Sequence, residues 1–313
     1  MTDSLIARAE TARLISKPSF AEFPDGAPIH TAFRLIKLRP GAQPPEGAMD
    51  HRVSFGTART AKDAARLAGY EAIERYALQF SSDARQASES LIASDGETYT
   101  LQTQALALGA PGTNGTITSK GAAAGPTHEA AALRAVLECL EHALDPLDYA
   151  FTLPKSSLPQ DLTDWLGSYL RNLHIHLAEV PGIGMLFRAV CADPDGGRPT
   201  YGTAFATDLE SGIWRATSEA VVSWRNMVTL DHTGVTQRGM DAEQKRLFQL
   251  YRGARIDRPA DPPAQFDMGG WAQPDPTLGE VLNAAAKALG QPVAIFDMTA
   301  PEIPLPVVKA VPV

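Results

Sequence analysis

Cysteine is scarce in this chain: only Cys139 and Cys191 occur among 313 residues. Neither has the paired neighbour spacing of a zinc site, and so few thiols fit a reducing compartment. Long hydrophobic runs are also missing. No stretch approaches the roughly 18 apolar residues of a membrane span, and the N-terminus lacks a basic start followed by an apolar run. We therefore expect a cytoplasmic protein with no membrane partner.

Positive charge is in short supply as well. Lys and Arg number 28 against 36 Asp and Glu, the formal net charge is -8, and no basic cluster stands out. Nucleic acid is therefore excluded as the main partner, because contact with a phosphate backbone needs concentrated positive charge. The glycine-rich phosphate loops of common nucleotide-binding folds are absent too, so any nucleotide must bind by other means.

Two predicted helices each carry a pair of carboxylates three residues apart, Glu71 with Glu74 and Glu138 with Glu141. This step puts both acids of a pair on one helix face. If the helices face one another, the four acids repel each other unless Mg²⁺ or another hard divalent cation binds among them. Surface decoration is the alternative, because such charges are common on any solvated helix face.

The apolar stripe of each helix helps to separate these alternatives. Glu71 and Glu74 share a stripe with Leu67 and Leu78, where an amphipathic helix would place apolar residues, and a charge there is costly without a partner. The stripe of the second pair holds further charges, so an exposed, salt-bridged face explains that pair equally well.

A third motif consists of Arg215 and Glu219, four residues apart. Their stripe also contains Gly212 and Val222, which again predicts charges among apolar neighbours. A cation and an anion at this spacing, together with the two acid pairs, would suit a polyphosphate with its metals.

Strands and helices alternate along the chain in three similar blocks. Alternating hydrophobicity and turn signals predict strands at 28–38, 173–180, 185–192 and 200–206, and two closing strands at 292–299 and 305–311. Helices are predicted after Thr60, from Thr127 to Leu144, after Asp208 and from Leu278 to Leu289. Residues 40–47 and the Pro-rich segment 258–277 are predicted loops. The fold class is therefore mixed α+β or α/β.

The three motifs, in this order, resemble the YcaO domain family. The resemblance lies in Glu71-Ala-Ile-Glu74-Arg75-Tyr76, in Gly121-Ala-Ala-Ala-Gly125 followed by Glu138-Cys-Leu-Glu141, and in Arg215-Ala-Thr-Ser-Glu219. The tail, Pro306-Val-Val-Lys, resembles that family's closing strands. The resemblance implies one domain over residues 1–313, with an N-terminal extension at 1–25. It also implies repeated strand–helix modules, with helices packed on mostly antiparallel sheets around a central acidic site.

The resemblance further implies an enzyme that uses ATP and Mg²⁺ to phosphorylate a peptide backbone amide oxygen, as in the modification of ribosomal peptides. The implied Mg²⁺ ligands are Glu71, Glu74, Glu138, Glu141 and Glu219. The implied nucleotide site adds Arg75 and Arg215, and Arg75 has an equal alternative as the i,i+4 partner of Glu71. Lys120 is a candidate for a compensating charge near the phosphates, but lysines in such loops are mostly solvated. The catalytic base stays open between His128, His142 and the C-terminal segment.

Several positions depart from the family pattern. Ala123, Pro126 and Ala130 stand where the family places residues of a nucleotide-contacting pattern, and Pro126 lacks even a backbone N–H. His142 follows the second acid pair where Arg is common, and Ala58 stands where Gly is usual. These departures predict ATP binding that is weakened, rerouted or absent.

Substrate chemistry is predicted from the tail. Pro304 and Pro306 do not complete the Pro-x-Pro repeat of some azoline-forming members, which favours thioamidation or a related reaction over cyclodehydration. The segment before the first motif is too short for a fused leader-binding domain, so we expect a partner protein for substrate recognition or sulfur supply. A homodimer is expected from the resemblance.

Three hypotheses follow, in this order: an active amide-modifying enzyme, a nucleotide-silent relative that acts as scaffold or partner subunit, and a carboxylate-bound dimetal protein. The last lacks the Glu-x-x-His steps of dimetal bundles.

Overall fold

The structure is a computed structural model that describes residues 2–43, 52–83, 86–112, 117–144, 151–232, 242–256, 264–267, 271, 273–303 and 305–313. The chain forms two compact units. The first contains residues 1–22, 30–143 and 276–313, and the second contains residues 23–29 and 144–275. Within the described ranges, no helix is long and apolar enough to cross a membrane.

The described residues form eight α-helices: α1 Thr2–Thr11, α2 Ala61–Leu78, α3 Thr103–Leu106, α4 His128–Ala143, α5 Gln160–Ser168, α6 Leu209–His232, α7 Ala242–Gly253 and α8 Leu278–Leu289. They also form the strands β1 Ser19–Ala21, β2 His30–Leu35, β3 Val53–Ala58, β4 Ala87–Ala93, β5 Thr100–Gln102, β6 Ala122–Ala124, β7 Phe151–Thr152, β8 Asn172–Val180, β9 Gly184–Ala192, β10 Thr200–Ala206, β11 Ala264–Gln265, β12 Val293–Asp297 and β13 Val307–Pro312.

Two antiparallel sheets build the first unit. One has the order β1-β2-β3, and the other has the order β5-β4-β12-β13-β6. Helix α2 packs on β2 and β3, while α4 packs on β6, β13 and α8. Buried apolar residues of α2, β13 and the segment before it form a shared core, which includes Ile73, Leu78, Leu305 and Val307. Strand β6 and helices α2 and α4 therefore lie close together in this unit.

One five-stranded sheet, in the order β10-β9-β8-β7-β11, builds the second unit. All its neighbouring strands are antiparallel except β7 and β11. Helix α6 packs on β9 and β10, and α5 packs on β8. Trp165 of α5 meets Trp224 of α6 with ring centroids 5.7 Å apart in an edge-to-face contact, so both helices share the core over this sheet.

The predicted fold class is confirmed: the chain combines helices with three mostly antiparallel sheets. The start of α2 follows the predicted capping pattern, since the Thr60 side chain accepts the Asp63 N–H. Asp208 precedes α6 and its carboxylate accepts the Ser211 N–H at 2.7 Å, as predicted. The hairpin of β8 and β9 and the closing strands β12 and β13 also occur where expected.

Other parts of the fold were not predicted. The segment expected to be an N-terminal extension forms α1 and β1 within the first unit, and α5 and β4 have no counterpart among the predicted elements. Within the predicted loop 258–277, residues 264 and 265 form β11. Parts of the predicted loops 40–47 and 258–277, and Pro304, lie outside the described residues.

Candidate functional site

Helix α2 lies unusually close to strand β3. A Cβ atom at Gly56 would stand 2.2 Å from the Ala68 nitrogen and 2.4 Å from the Ala64 oxygen, so only glycine fits between the two backbones. Ala64 and Ala68 are themselves fully buried in this contact. The close packing brings the helix side chains that follow within reach of the strand's polar backbone atoms.

Glu71 and Arg75 exploit this proximity. The Glu71 carboxylate accepts the Phe55 N–H at 2.8 Å and pairs with the Arg75 guanidinium at 2.7 Å. Arg75 also donates to the Val53 carbonyl at 2.7 Å. The predicted i,i+4 partnership of the two side chains is therefore present, and both hold the backbone of β3.

Glu74 is the most perturbed acid of the cluster. It is partly buried, and its carboxylate accepts the Ala124 N–H of β6 at 3.1 Å. Burial, followed by repulsion from Glu138 and Glu71, raises the pKa of Glu74 well above its ordinary value. Burial likewise raises the pKa of Glu71, and Glu138 again contributes.

Glu138 connects α4 to this set. The charge of Glu138 acts on both α2 acids, and its carboxylate lies 3.8 Å from the His142 imidazole, at the i+4 position. The hydrogen bond that His142 donates to Glu138 raises the pKa of His142, and the charge of Glu141 contributes to that rise. We refer to Glu71, Glu74 and Glu138 as the acid cluster. The charges of Glu141, which follows Glu138 on α4, and of Lys120 both act on His142.

The chemistry of these donors fits a hard divalent cation. Carboxylate oxygens are the ligands that Mg²⁺ takes in proteins, and a cation would relieve the repulsion that raises the pKa of Glu74. Within the described ranges, however, no three His, Cys, Asp or Glu side chains converge closely enough to surround one metal ion. The acids therefore interact through their charges in this structure and do not form a closed ligand shell.

Arg215 and Glu219 belong to α6 in the second unit. Glu219 accepts the Thr203 N–H at 2.8 Å, and Arg215 donates to the Phe205 carbonyl at 2.9 Å. Both side chains are exposed. On their stripe Gly212 is buried and Val222 is half-buried, whereas Leu67 on the stripe of α2 is 42% exposed. The spacing of residues along a helix shows which of them share a face, but it does not show whether other parts of the protein bury that face.

A common arrangement runs through these contacts and was not predicted from the sequence. The strands β3, β6 and β10 each lie at the end of their sheet, and each gives a backbone N–H to a helix glutamate and a carbonyl to a helix arginine. For β6 the arginine is Arg134 of α4, which reaches the Ala124 carbonyl at 3.4 Å. The motif residues therefore close the open edges of sheets.

Three of the departures from the family pattern, Ala123, Pro126 and Ala130, lie in β6 or around the start of α4. Ala123 is buried in β6, where it pairs with Val308, whereas Pro126 is exposed between β6 and α4.

Cys139 lies within α4 but is buried, and its thiol donates to the Ala310 carbonyl at 3.3 Å. Burial raises the pKa of Cys139 to about 12, so the thiol is inert, as the sequence predicted.

Solved structures of low sequence identity share this fold. A YcaO structure from Methanopyrus kandleri, bound with AMPPCP and Mg²⁺, is 16% identical with a TM-score of 0.67, and the match covers 99% of this chain and 90% of that one. A heterocyclase in complex with substrate and cofactor is 15% identical with a TM-score of 0.72, covering 98% of this chain and 52% of that one. The E. coli microcin synthetase McbBCD complex contains a chain 11% identical with a TM-score of 0.64, covering 94% and 87%.

A family model reaches the same result from sequence. No curated protein matches the chain. The model described as YcaO cyclodehydratase, ATP- and Mg²⁺-binding, matches residues 93–312, which is more than half of the chain and draws on both compact units. The chain therefore belongs to the YcaO family.

Proposed function

We propose that this protein is an ATP- and Mg²⁺-dependent enzyme that phosphorylates a backbone amide oxygen of a peptide or protein substrate. The observation that carries the proposal is the acid cluster of the first unit. Glu71 and Glu74 stay close to Glu138 although burial and mutual repulsion raise their pKa values. Keeping repelling carboxylates together is energetically unfavourable, and family membership supports the interpretation that they form a binding site.

Each residue of the proposed site has a distinct part. One oxygen of Glu71 and one of Glu74 hold strand N–H groups, which fixes the direction of both carboxylates before any ligand binds. Glu138 and Glu141 would complete the metal-binding acids, and Arg75 and Lys120 would contact phosphate. Family membership also suggests a nucleotide role for Arg215 and Glu219 of α6. When bound, Mg-ATP supplies the phosphoryl group that turns an amide oxygen into a leaving group.

We further propose that the product is a thioamide or the result of a related amide reaction. The sequence support is the incomplete Pro-x-Pro pattern at the C-terminal end, where Pro306 precedes β13 and Pro312 ends it. A partner protein would then supply sulfur or recognise the substrate. The McbBCD complex, also solved with pro-MccB17 bound, shows a structural relative within a multi-protein complex.

A second candidate is a nucleotide-silent family member that serves as scaffold or partner subunit. The observation that favours it is the pair Ala123 and Pro126, which offer no polar side chain at the entry to α4. Ala123 is also buried in the sheet, so its side-chain position faces protein and not a ligand.

Calorimetric titration with ATP and Mg²⁺ separates the two candidates. The active enzyme should show saturable binding that Glu74→Gln and Glu138→Gln each weaken at least tenfold, since an amide is a poor ligand for Mg²⁺. Glu129→Gln is the matched control, because Glu129 lies on the same helix as Glu138 but is exposed. That variant should bind like the parent protein.

Absence of binding in a folded parent protein would favour the nucleotide-silent candidate. Equal loss in Glu129→Gln would instead mean that net charge, and not the acid cluster, governs the interaction. The same preparation tests two further parts of the proposal, a homodimer and a cytoplasmic location. Light scattering measures whether the protein is a homodimer. A cytoplasmic location is compatible with the two free thiols, Cys139 and Cys191.

A further inference from the structure

A cavity of about 310 Å³ lies in the first unit, beside the C-terminal turns of α4. Strand β13, helices α4 and α8, and the segment 117–121 supply its walls. Gly121 allows the close packing of this wall: it has a φ of +73°, and a Cβ there would stand 2.4 Å from the Ala310 oxygen. The cavity is thus a built feature of the fold with a fixed backbone lining.

Lys309 of β13 lines this cavity and is almost fully buried, with 4% exposure. Its ammonium donates to the Leu106 carbonyl at 2.9 Å and the Thr118 carbonyl at 2.8 Å. A lysine ammonium has three N–H donors, so these carbonyls leave one donor over. Among the described ion pairs none involves Lys309. A buried cation held only by neutral acceptors attracts an anion.

The rest of the lining reinforces this charge. Lys120, which is also a proposed phosphate contact, and His142, which pairs with Glu138, line the cavity as well, and none of the described lining residues carries a carboxylate. The other walls are largely apolar and include Ala105, Ile117 and Leu289. Basic groups in an apolar enclosure select a ligand with a negative head and an apolar body.

This cavity lies beside the acid cluster, because His142 lines it and is also the i+4 partner of Glu138. The helix turns Cys139, His142 and Ala143 toward the cavity, at steps of three and one. Glu138 and Glu141 occupy the adjoining face and do not line it. Burial also lowers the pKa of Lys309 to about 8, although the negative charge of Glu138 acts in the opposite direction.

We propose that the cavity around Lys309 binds a small organic carboxylate with a short apolar body, in a pocket next to the acid cluster that none of the cluster's carboxylates lines. The carboxylate meets the spare N–H of Lys309, and the apolar body fills the space between Ala105, Ile117 and Leu289. Inorganic phosphate fits less well, because most of the lining cannot replace its hydration. This binding does not depend on the proposed function.

Octanoate is the probe for this site, titrated calorimetrically into the full chain at pH 7 without nucleotide. Saturable binding is expected, with at least tenfold weaker binding to Lys309→Met, which keeps the length of the side chain but removes its charge. Ala105→Phe should abolish binding, because Ala105 is exposed and lines the cavity, so a large side chain there fills the space without touching Lys309. Lys287→Met is the matched control, since Lys287 is exposed on α8 and should not matter.

Octylamine and inorganic phosphate test the chemistry of the site in the parent protein. The proposal requires octanoate to bind at least tenfold more tightly than either. Equal binding of octanoate and octylamine, phosphate binding as tight as octanoate, or unchanged affinity in Lys309→Met would each overturn it. If Lys309→Met does not fold, Ala105→Phe and the octylamine comparison decide the question.

Discussion

The β3–α2 module of the first unit and the β10–α6 module of the second are built alike. In each, a helix glutamate accepts an N–H of the terminal strand, and an arginine four residues away donates to a carbonyl of the same strand. The glutamate and the residue whose N–H it accepts are 16 positions apart in both cases. The order is reversed, however: Glu71 precedes Arg75, whereas Arg215 precedes Glu219.

The electrostatic surroundings of the two modules differ. Arg215 and Glu219 are exposed, and each has a backbone partner that accounts for its position. Glu71 has such a partner as well, but Glu74 and Glu138 add negative charge beside it, and the pKa values of Glu71 and Glu74 rise in consequence. Closing sheet edges explains Glu71 and Glu74 on α2 as well as Glu219 on α6. The charge of Glu138, which α4 brings beside the two α2 acids, is not needed for that role, and so it is the stronger sign of a metal-binding function.

The largest expected loss of stability comes from the glycines at which each module packs its helix backbone against its strand backbone. Gly56→Ala and Gly202→Ala should each lower the free energy of unfolding by about 3 kcal/mol, the upper end of the usual cost of overpacking. A Cβ at Gly202 would stand 2.1 Å from the Ala216 oxygen, a contact as close as the one at Gly56. Backbone atoms cannot move aside as a flexible side chain can. Denaturant unfolding monitored by circular dichroism measures both variants.

Gly167→Ala is the control for these glycines. Gly167 lies in α5, and a Cβ there meets no atom within 4 Å, so alanine should stabilise the helix by about 0.5–1 kcal/mol. If Gly56→Ala were as stable as the parent protein, that result would contradict the close packing of α2 against β3. A tolerated Gly202→Ala alone would limit that conclusion to the second unit.

The next prediction concerns the pH dependence of stability at a buried cation, Lys309, whose surroundings differ from those of Arg171. Arg171 of the second unit pairs with Asp193 at 2.5 Å, whereas Lys309 of the first unit has only carbonyl partners. The pKa of Lys309 falls from 10.5 to about 8 on folding, so the unfolded chain binds more protons between these values. Stability should therefore rise with pH across this window, by roughly 3 kcal/mol. Lys309→Met should lack that rise.

Unfolding midpoints of the parent protein and Lys309→Met, measured from pH 7 to pH 11, give the difference directly. Lys287→Met, at an exposed position, should follow the parent curve. Parallel curves for the parent protein and Lys309→Met would show that the amine keeps its ordinary pKa and is therefore in contact with water.

At the acid cluster we expect a smaller effect on stability, which runs opposite to the rise with pH expected at Lys309. The raised pKa of Glu74 means that the folded protein keeps a proton which the unfolded chain has already lost above its ordinary pKa. Without metal, stability should therefore fall as pH rises from 4 toward neutrality, and Glu74→Gln should remove that part of the fall. Glutamine can still accept the Ala124 N–H, so the comparison isolates the charge.

Glu219→Gln is the matched variant in the other module. Its side chain is exposed and its amide oxygen can still accept the Thr203 N–H, so its stability should stay within about 0.5 kcal/mol of the parent value at any pH. Melting curves in EDTA between pH 4 and pH 8 test both variants. If they show the same pH dependence, the contrast between the two modules is wrong.

Features that depend on nearby residues could be predicted from the sequence. The carboxylate pairs on α2 and α4, the hairpin of β8 and β9, and the Thr60 cap each involve residues within one turn or one hairpin. Features that depend on chain segments far apart could not. Glu74 and Ala124 are 50 residues apart, and Lys309 and Leu106 are 203 apart. Nothing in the local pattern around Glu74 or Lys309 shows which strand or carbonyl lies opposite.

The smallest expected effect concerns the start of the two module helices, where local pattern and structure agree. Thr60 accepts the Asp63 N–H at 3.1 Å before α2, and Asp208 accepts the Ser211 N–H at 2.7 Å before α6. Thr60→Ala and Asp208→Ala should each cost about 1 kcal/mol, because each leaves a helix N–H without its side-chain acceptor. Denaturant unfolding measures both changes.

Thr277 provides the reference for these two caps, because at the start of α8 it forms a reciprocal capping box with Glu280. Thr277→Ala removes its side-chain acceptor and its hydroxyl's bond to Glu280, the same two contacts that Thr60→Ala removes at Asp63. Its cost should therefore match that of Thr60→Ala and equal or exceed that of Asp208→Ala. A similar loss in all three variants would show that both modules begin their helices by the same local rule. The modules would then differ in the charges that the first unit gathers beside α2, and not in how their helices start.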